Sequence, residues 1–283
     1  MSACNNGPIR HWIRNGIGTI GLANKANRNA LSFQTLDVLH NRLRQFFDDP
    51  SVNVVILQSD IDNVFSSGHD LREIQKLQML HQTNLNSNDV DEVGLVARGR
   101  LQRLFELCSD TMQSISTSDT PVIAKVDGVA TAAGCQLVAS CDLAYASDRS
   151  TFATPGVNLG LFCSTPAVAL GRSVASPKFA MEMLLTGRGV SAADAERIGL
   201  INRAMSVGEL NAHVQKIAED IASKSRDAIR CGKPLFYREM ELDLNQAYDV
   251  ASRAMVNDVL DQEDCKEGID AFLSKRTPTW KCT

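Results

Sequence analysis

Two short segments join small residues, glycines and hydroxyls in a way that suits chemistry done by the main chain. The first is Phe65-Ser66-Ser67-Gly68-His69-Asp70-Leu71. The second is Asp127-Gly128-Val129-Ala130-Thr131-Ala132-Ala133-Gly134-Cys135-Gln136-Leu137. Each follows a short apolar run and leads into a helix start. Backbone N–H groups at such a turn have no intrahelical partner, and the helix dipole adds partial positive charge there. Two of them aimed at one point form an oxyanion hole. Small side chains are required so that a carbonyl can approach the backbone. Either turn alone is equally compatible with a plain tight turn.

Other groups with chemical potential are scattered. His69 follows Gly68 and has a side chain that titrates near neutrality; its position also suits a turn residue away from a reacting carbon. Glu106 falls on the far side of its helix from the apolar stripe, which reads as a solvated surface. Cys163 and Ser164 follow Gly160 with no base partner in sequence. Asp142 begins an apolar run and reads as a cap or turn former. No GxSxG nucleophile elbow is present. Gly16, Gly18 and Gly21 match GxGxxG, but they lie inside a hairpin pattern and open no helix, so a dinucleotide site is rejected.

The elements that must position these groups are legible in outline. Asn15-Gly16 between Trp12–Arg14 and Ile17–Leu22 predicts a two-residue hairpin turn. Leu36, Leu39, Leu43 and Phe46 recur at helical spacing from Ser32 to a stop at Pro50. Val52–Leu57, Val122–Val126, Leu143–Ala146 and Leu200–Ala204 are short apolar runs of the kind found in buried parallel strands. Their alternation with helical stretches predicts an α/β fold with a parallel sheet. Gln75–Gly94 is polar and reads as a loop. Leu101, Leu104, Phe105, Cys108, Met112 and Ile115 share one face of a helix over 98–115. Ser191-x-x-Asp194 and Ser206-x-x-Glu209 are capping boxes. The chain is helical from Leu235 onward, with apolar stripes (Ala247, Val250, Ala251, Ala254, Met255; then Ile269, Phe272, Leu273) that need a packing partner. A division follows: a core over 1–205 and a helical region over 206–283.

The 283 residues are 44% hydrophobic and 22% charged, with a formal net charge of −4. That balance is ordinary for a globular chain and gives no basic patch for nucleic acid. Isolated cations such as Lys125 and Arg28 remain available to a phosphate-bearing small ligand. No apolar run approaches the ~20 residues of a membrane span. Met1 to Arg10 shows neither the apolar core of a secretory signal nor an Arg-rich presequence. The eight cysteines form no CxxC pair and no metal-ligand spacing, so they read as reduced thiols and no metal is expected.

Taken jointly, the two turns resemble the oxyanion motifs of the enoyl-CoA hydratase/isomerase (crotonase) family. Asn29-Ala30-Leu31-Ser32, Phe152-Ala153-Thr154-Pro155 and Leu185-Thr186-Gly187…Ala192-Ala193-Asp194-Ala195…Gly199-Leu200 extend the likeness in the same order over nearly the whole chain. The resemblance implies a spiral of ββα units with a C-terminal helical trimerisation region, assembled as a homotrimer or a dimer of trimers. It implies an acyl-CoA thioester as ligand or substrate, with no further cofactor. The thioester carbonyl would accept from the N–H groups of Ser67 and Ala133. The adenine would lie near Ser67, Asp70 and Leu71, and the ribose and phosphates near Arg28 and Asn29. The compartment implied is the mitochondrion, with the cytoplasm as the alternative. The pattern departs where the family's hydratases carry two glutamates, at Gln136 and Gly156. Gln takes up no proton at neutral pH and Gly offers no side chain. The expectation is therefore a fatty-acid-metabolism protein with the oxyanion hole kept and hydration impaired. The alternatives are a non-catalytic acyl-CoA sensor or scaffold, a decarboxylase, and an enzyme using a bound bicarbonate in the room left by Gly156.

Overall fold

The computed structural model describes residues 7–85 and 92–281, with side chains described outside 82–92. The hairpin forms as its turn residues dictate. β1 (Ile9–Arg14) pairs antiparallel with β2 (Ile17–Leu22) across Asn15 and Gly16, both at positive φ. The GxGxxG match thus lies in strand and turn and opens no helix. Ser32 caps α1 (Phe33–Asp48) by accepting from Thr35 N–H, and Leu36, Leu39, Leu43, Phe46 and Phe47 are buried along one face.

From there the chain repeats one unit three times. β3 (Val54–Ser59) is followed by β4 (Val64–Ser66) and α2 (Leu71–Leu85). After α3 (Glu92–Thr117), β5 (Val122–Val126) is followed by β6 (Val129–Thr131) and α4 (Ala133–Ser140). β7 (Leu143–Ser147) is followed by β8 (Thr151–Ala153) and a 3-10 turn over Pro155–Leu159. The first strand of each unit enters a six-stranded sheet and the second enters a smaller four-stranded one. The large sheet runs β1-β2-β3-β5-β7-β10, where β10 is Arg203–Met205. The small one runs β4-β6-β8-β9, where β9 is Val190–Ser191. β2, β3, β5, β7 and β10 are mutually parallel. This is the ββα spiral. The remaining helices are α5 (Ser164–Ser173), α6 (Pro177–Thr186), α7 (Ala192–Arg197), α8 (Val207–Ala222), α9 (Arg226–Glu239), α10 (Leu244–Ala254) and, after a π-helical turn, α11 (Glu263–Leu273).

Three expectations are revised. The polar stretch from Gln75 is helical as far as Leu85, because Asp70 caps α2 by accepting from the N–H groups of Arg72 and Glu73, and Leu77 is buried beneath it. Part of that stretch, 86–91, lies outside the described residues. On α3 the buried face is Leu104, Leu107, Cys108, Met112 and Ile115, while Leu101 and Phe105 sit at its margin. The expected boundary at 205/206 falls too early. Leu210, Val214 and Ala218 of α8 join Ile17, Val54, Ile56, Ile123 and Tyr145 in a second buried cluster on the outer face of the large sheet. α8 is thus part of the core, and only α9 to α11 extend beyond it.

A buried ion pair helps fasten α9 to the core, beside the contacts of Arg230 with Asp119 and the Phe47 carbonyl and of Arg226 with the Asp49 carbonyl. Lys233 Nζ lies 2.9 Å from Asp142 Oδ2 and also donates to the carbonyls of Ile115 and Thr120 and to Ser118 Oγ. Asp142 in turn accepts from Val122 N–H and from the Tyr237 hydroxyl. Asp142 is therefore more than a turn former: it ties the starts of β5 and β7 to α9.

Candidate active site

The two glycine turns are interlocked. A Cβ on Gly134 would stand 2.6 Å from the Ser66 carbonyl oxygen, and one on Gly68 would stand 2.8 Å from the Ala132 methyl and 3.3 Å from Ala133 N. Only hydrogen at these positions permits the approach. Gly68 is at φ +84°, and Ala132 is held at φ +50° and ψ −119°, a conformation that costs an L-residue of order 1–3 kcal/mol. Ala132 N–H donates to the Ala153 carbonyl, which fixes the start of α4 against β8.

Ala133 is the first residue of α4, and its N–H has no partner among the described residues. The amides of the first turn require a correction. Ser67 N–H donates to the Arg28 carbonyl at 3.2 Å, and Gly68 N–H donates to Ser66 Oγ. The next N–H, that of His69, has no partner among the described residues. Where the two turns meet, at Gly68 and Ala133, the unpartnered amides are therefore those of His69 and Ala133. Sequence reading missed this because the engagement of Ser67 depends on a carbonyl thirty-nine positions away.

The His69 ring is itself constrained. Nδ1 lies 3.2 Å from the Leu31 carbonyl, so Nδ1 carries the proton and Nε2 is an acceptor. Nε2 is buried without a partner among the described residues. The ring meets Phe105 edge to face, 5.0 Å between centroids. Burial lowers the pKa below the usual 6.5, with the Leu31 contact opposing, so the ring is neutral at pH 7.

Gln136 is 4% exposed, and its Oε1 has no partner among the described residues. Thr154, completely buried two residues before Gly156, leaves its Oγ1 in the same condition. Gly156 offers no vacancy. A Cβ there would stand 2.7 Å from Cys163 Sγ and 2.9 Å from the Leu161 carbonyl. The room expected for a bicarbonate is filled by that sulfur. Burial raises the Cys163 thiol pKa, the Gly156 N–H opposing. Deeper burial pushes Cys135 up to about 12, and Cys163 adds to that shift from close by.

The remaining predicted residues are placed as follows. Arg28 is exposed, at φ +58°, behind Ser67. Asn29 is not available to a ligand: its Oδ1 accepts from Asn24 N–H and its Nδ2 donates to Ser59 Oγ and the Phe65 carbonyl. Asp70 is spent on capping α2, and Leu71 beside it is half exposed. Glu106 is a surface residue paired with Gln102 and Arg103. Lys125 Nζ donates to Asn211 Oδ1 on the outer face of the sheet. Ser164 opens α5.

The sequence matches the enoyl-CoA hydratase/isomerase family over residues 12–101 and 96–283, which together span nearly the entire chain. The chain belongs to the enoyl-CoA hydratase/isomerase family. It is 45% identical over 265 residues to human enoyl-CoA hydratase domain-containing protein 3, mitochondrial, covering 94% of this chain and 80% of that one. The crystal structure of the human protein superposes with a TM-score of 0.86 at 44% identity, covering 96% of this chain and 100% of that chain. An enoyl-CoA hydratase of Mycobacterium smegmatis gives a TM-score of 0.86 at 38% identity, covering 97% and 99%. Within this family fold, the interlocked turns follow β4 and β6 of the small sheet, with Gln136 on α4 and Gly156 in the 3-10 turn after β8.

Proposed function

We propose that this family member binds an acyl-CoA thioester with its carbonyl oxygen between the N–H groups of His69 and Ala133, and that it hydrates enoyl esters poorly. One observation carries the reading: Gly68 and Ala133 approach so closely that the His69 and Ala133 amides, neither with a partner among the described residues, stand on adjoining turns. Such a pair favours the enolate-like charge that develops on a thioester oxygen. Gln136 offers a neutral amide in place of a proton-transferring carboxylate, and residue 156 offers hydrogen. Each general acid–base step typically contributes ~10²–10⁴-fold. A sensor or scaffold role fits the same geometry, because the amides supply binding without proton transfer. A decarboxylase also fits, since enolate stabilisation matters there more than a strong base.

Arg28, exposed behind the first turn, is the side chain in reach of coenzyme phosphates on this reading. The wider assignments follow the relatives: a role in fatty-acid metabolism and a mitochondrial location, which fractionation of tagged protein would test. Association through α9 to α11 is supported by Phe272 at 82% and Leu273 at 74% exposure, too large an apolar surface to leave in water. Sedimentation would separate a trimer or hexamer from a monomer.

Calorimetry with butyryl-CoA and its thioether analogue S-butyl-CoA tests the core claim. At ~0.5–1.5 kcal/mol for each of two hydrogen bonds, the ester should bind roughly 5–100-fold more tightly. Equal affinities, or no saturable binding of the ester, would refute the assignment.

A further inference from the structure

The position that a family hydratase gives to its second carboxylate is not empty in this chain. Gly156 begins the 3-10 turn after β8, and the loop 158–162 then returns the chain so that Cys163 comes back over it. The thiol stands 2.7 Å from where a Cβ on residue 156 would be, closer than real Cβ atoms approach anything. Residues 156 and 163 therefore share one side-chain volume, and glycine at one goes with cysteine at the other.

A second, independent feature sets this volume beside the second turn: Cys163 is close enough to Cys135, two residues after Ala133 on α4, to raise its thiol pKa. The neighbouring β8 end is gripped from α4, through Ala132 N–H on the Ala153 carbonyl. Close to that grip in sequence, Gln136 Oε1 and Thr154 Oγ1 are buried polar atoms with no partner among the described residues. Gln136 is 4% exposed, yet an unpaired buried acceptor is unfavourable unless something else completes it. Cys163 itself is only partly buried.

We propose that Cys163 is a specificity-determining residue of the acyl-CoA site: its thiol replaces the residue-156 side chain, closes the place from which a second carboxylate would direct water, and meets the reacting end of the acyl group. The proposal rests on the acyl-CoA reading above and adds to it what lies beside the β-carbon. Its consequence is a dry, polarisable wall where a hydratase has an ordered water. Chemistry at the α-carbon, or binding alone, is then favoured over addition at the β-carbon.

Two experiments test it on the full chain. Alkylation by iodoacetamide, mapped by peptide mass spectrometry, should be slowed at least about 5-fold at Cys163 by saturating butyryl-CoA, while Cys231 and Cys265, which are also partly buried, react at unchanged rates. Calorimetry run alongside reports whether the ester is bound. Unchanged Cys163 reactivity with bound ester overturns this proposal alone, whereas no binding overturns the acyl-CoA reading and this proposal with it. The second experiment compares Gln136→Glu/Gly156→Glu with the same pair plus Cys163→Gly, following crotonyl-CoA hydration by loss of enoyl absorbance. The triple variant should exceed the double by ~10²-fold or more, the lower range for a general acid–base group. A double variant as active as a folded triple one would overturn the proposal. If the triple variant fails to fold, the alkylation experiment still decides.

Discussion

Two polar regions of this protein are equally enclosed and differ in one respect. Beneath α9, Lys233, Asp142 and Tyr237 spend every charged or hydroxyl group on a partner: two backbone carbonyls, one backbone N–H, a serine hydroxyl and one another. At the junction of the two glycine turns, His69 Nε2, Gln136 Oε1 and Thr154 Oγ1 have none among the described residues, three of eight such buried atoms. The first region is closed by the protein's own groups and its contribution is stability. The second is left incomplete, and on the acyl-CoA reading proposed above its contribution is recognition. Burial is common to both regions; completeness of hydrogen bonding is what separates them.

The contrast can be broken by deletion. Lys233→Ala should show the largest effect, because it strands the Asp142 carboxylate in a site that is 14% exposed. Removing one partner of a buried pair costs ~3–5 kcal/mol, read as a lower urea midpoint. A loss under about 1 kcal/mol would mean the cluster is not what holds α9. Gln136→Leu should move stability little, or raise it by up to about 1 kcal/mol, because it removes an acceptor that has no donor. The same change should weaken butyryl-CoA binding. Clear destabilisation, measured in the same urea titration, would show that Gln136 is part of the packing and would erase the distinction.

The smallest effect is on pH. Burial holds the His69 pKa below its usual 6.5, so the folded state favours the neutral ring. The associated stability is fully present above pH 6.5 and is lost as pH falls through the folded-state value. His11 and His40 are shifted in the same direction, so the informative quantity is the difference between wild type and His69→Gln. The wild type should lose more melting temperature than the variant between pH 7 and pH 5. Parallel curves would show that the His69 environment is not closed.

What the sequence determined by itself is local. The Asn15-Gly16 turn, the Ser32 cap, the Ser206 capping box and the apolar parallel strands stand where their residues placed them, because each depends on partners within a few positions; at Ser191 only the cap half of the expected box forms, Ser191 Oγ accepting from Asp194 N–H. The existence of two glycine turns is legible for the same reason. The helical part of the stretch after Leu71 had a signal, Asp70 three residues before Glu73, hidden by its polarity. The tertiary structure alone decided which first-turn amide is free, since the Arg28 carbonyl takes the Ser67 N–H. It also decided that Asn29 is consumed internally and that α8 belongs to the core. Likewise the glycine at 156 leaves no cavity, because Cys163 arrives from seven residues further along the chain. In each case the outcome was set by which groups met in space, and a residue's type records its own chemistry but not its neighbour's.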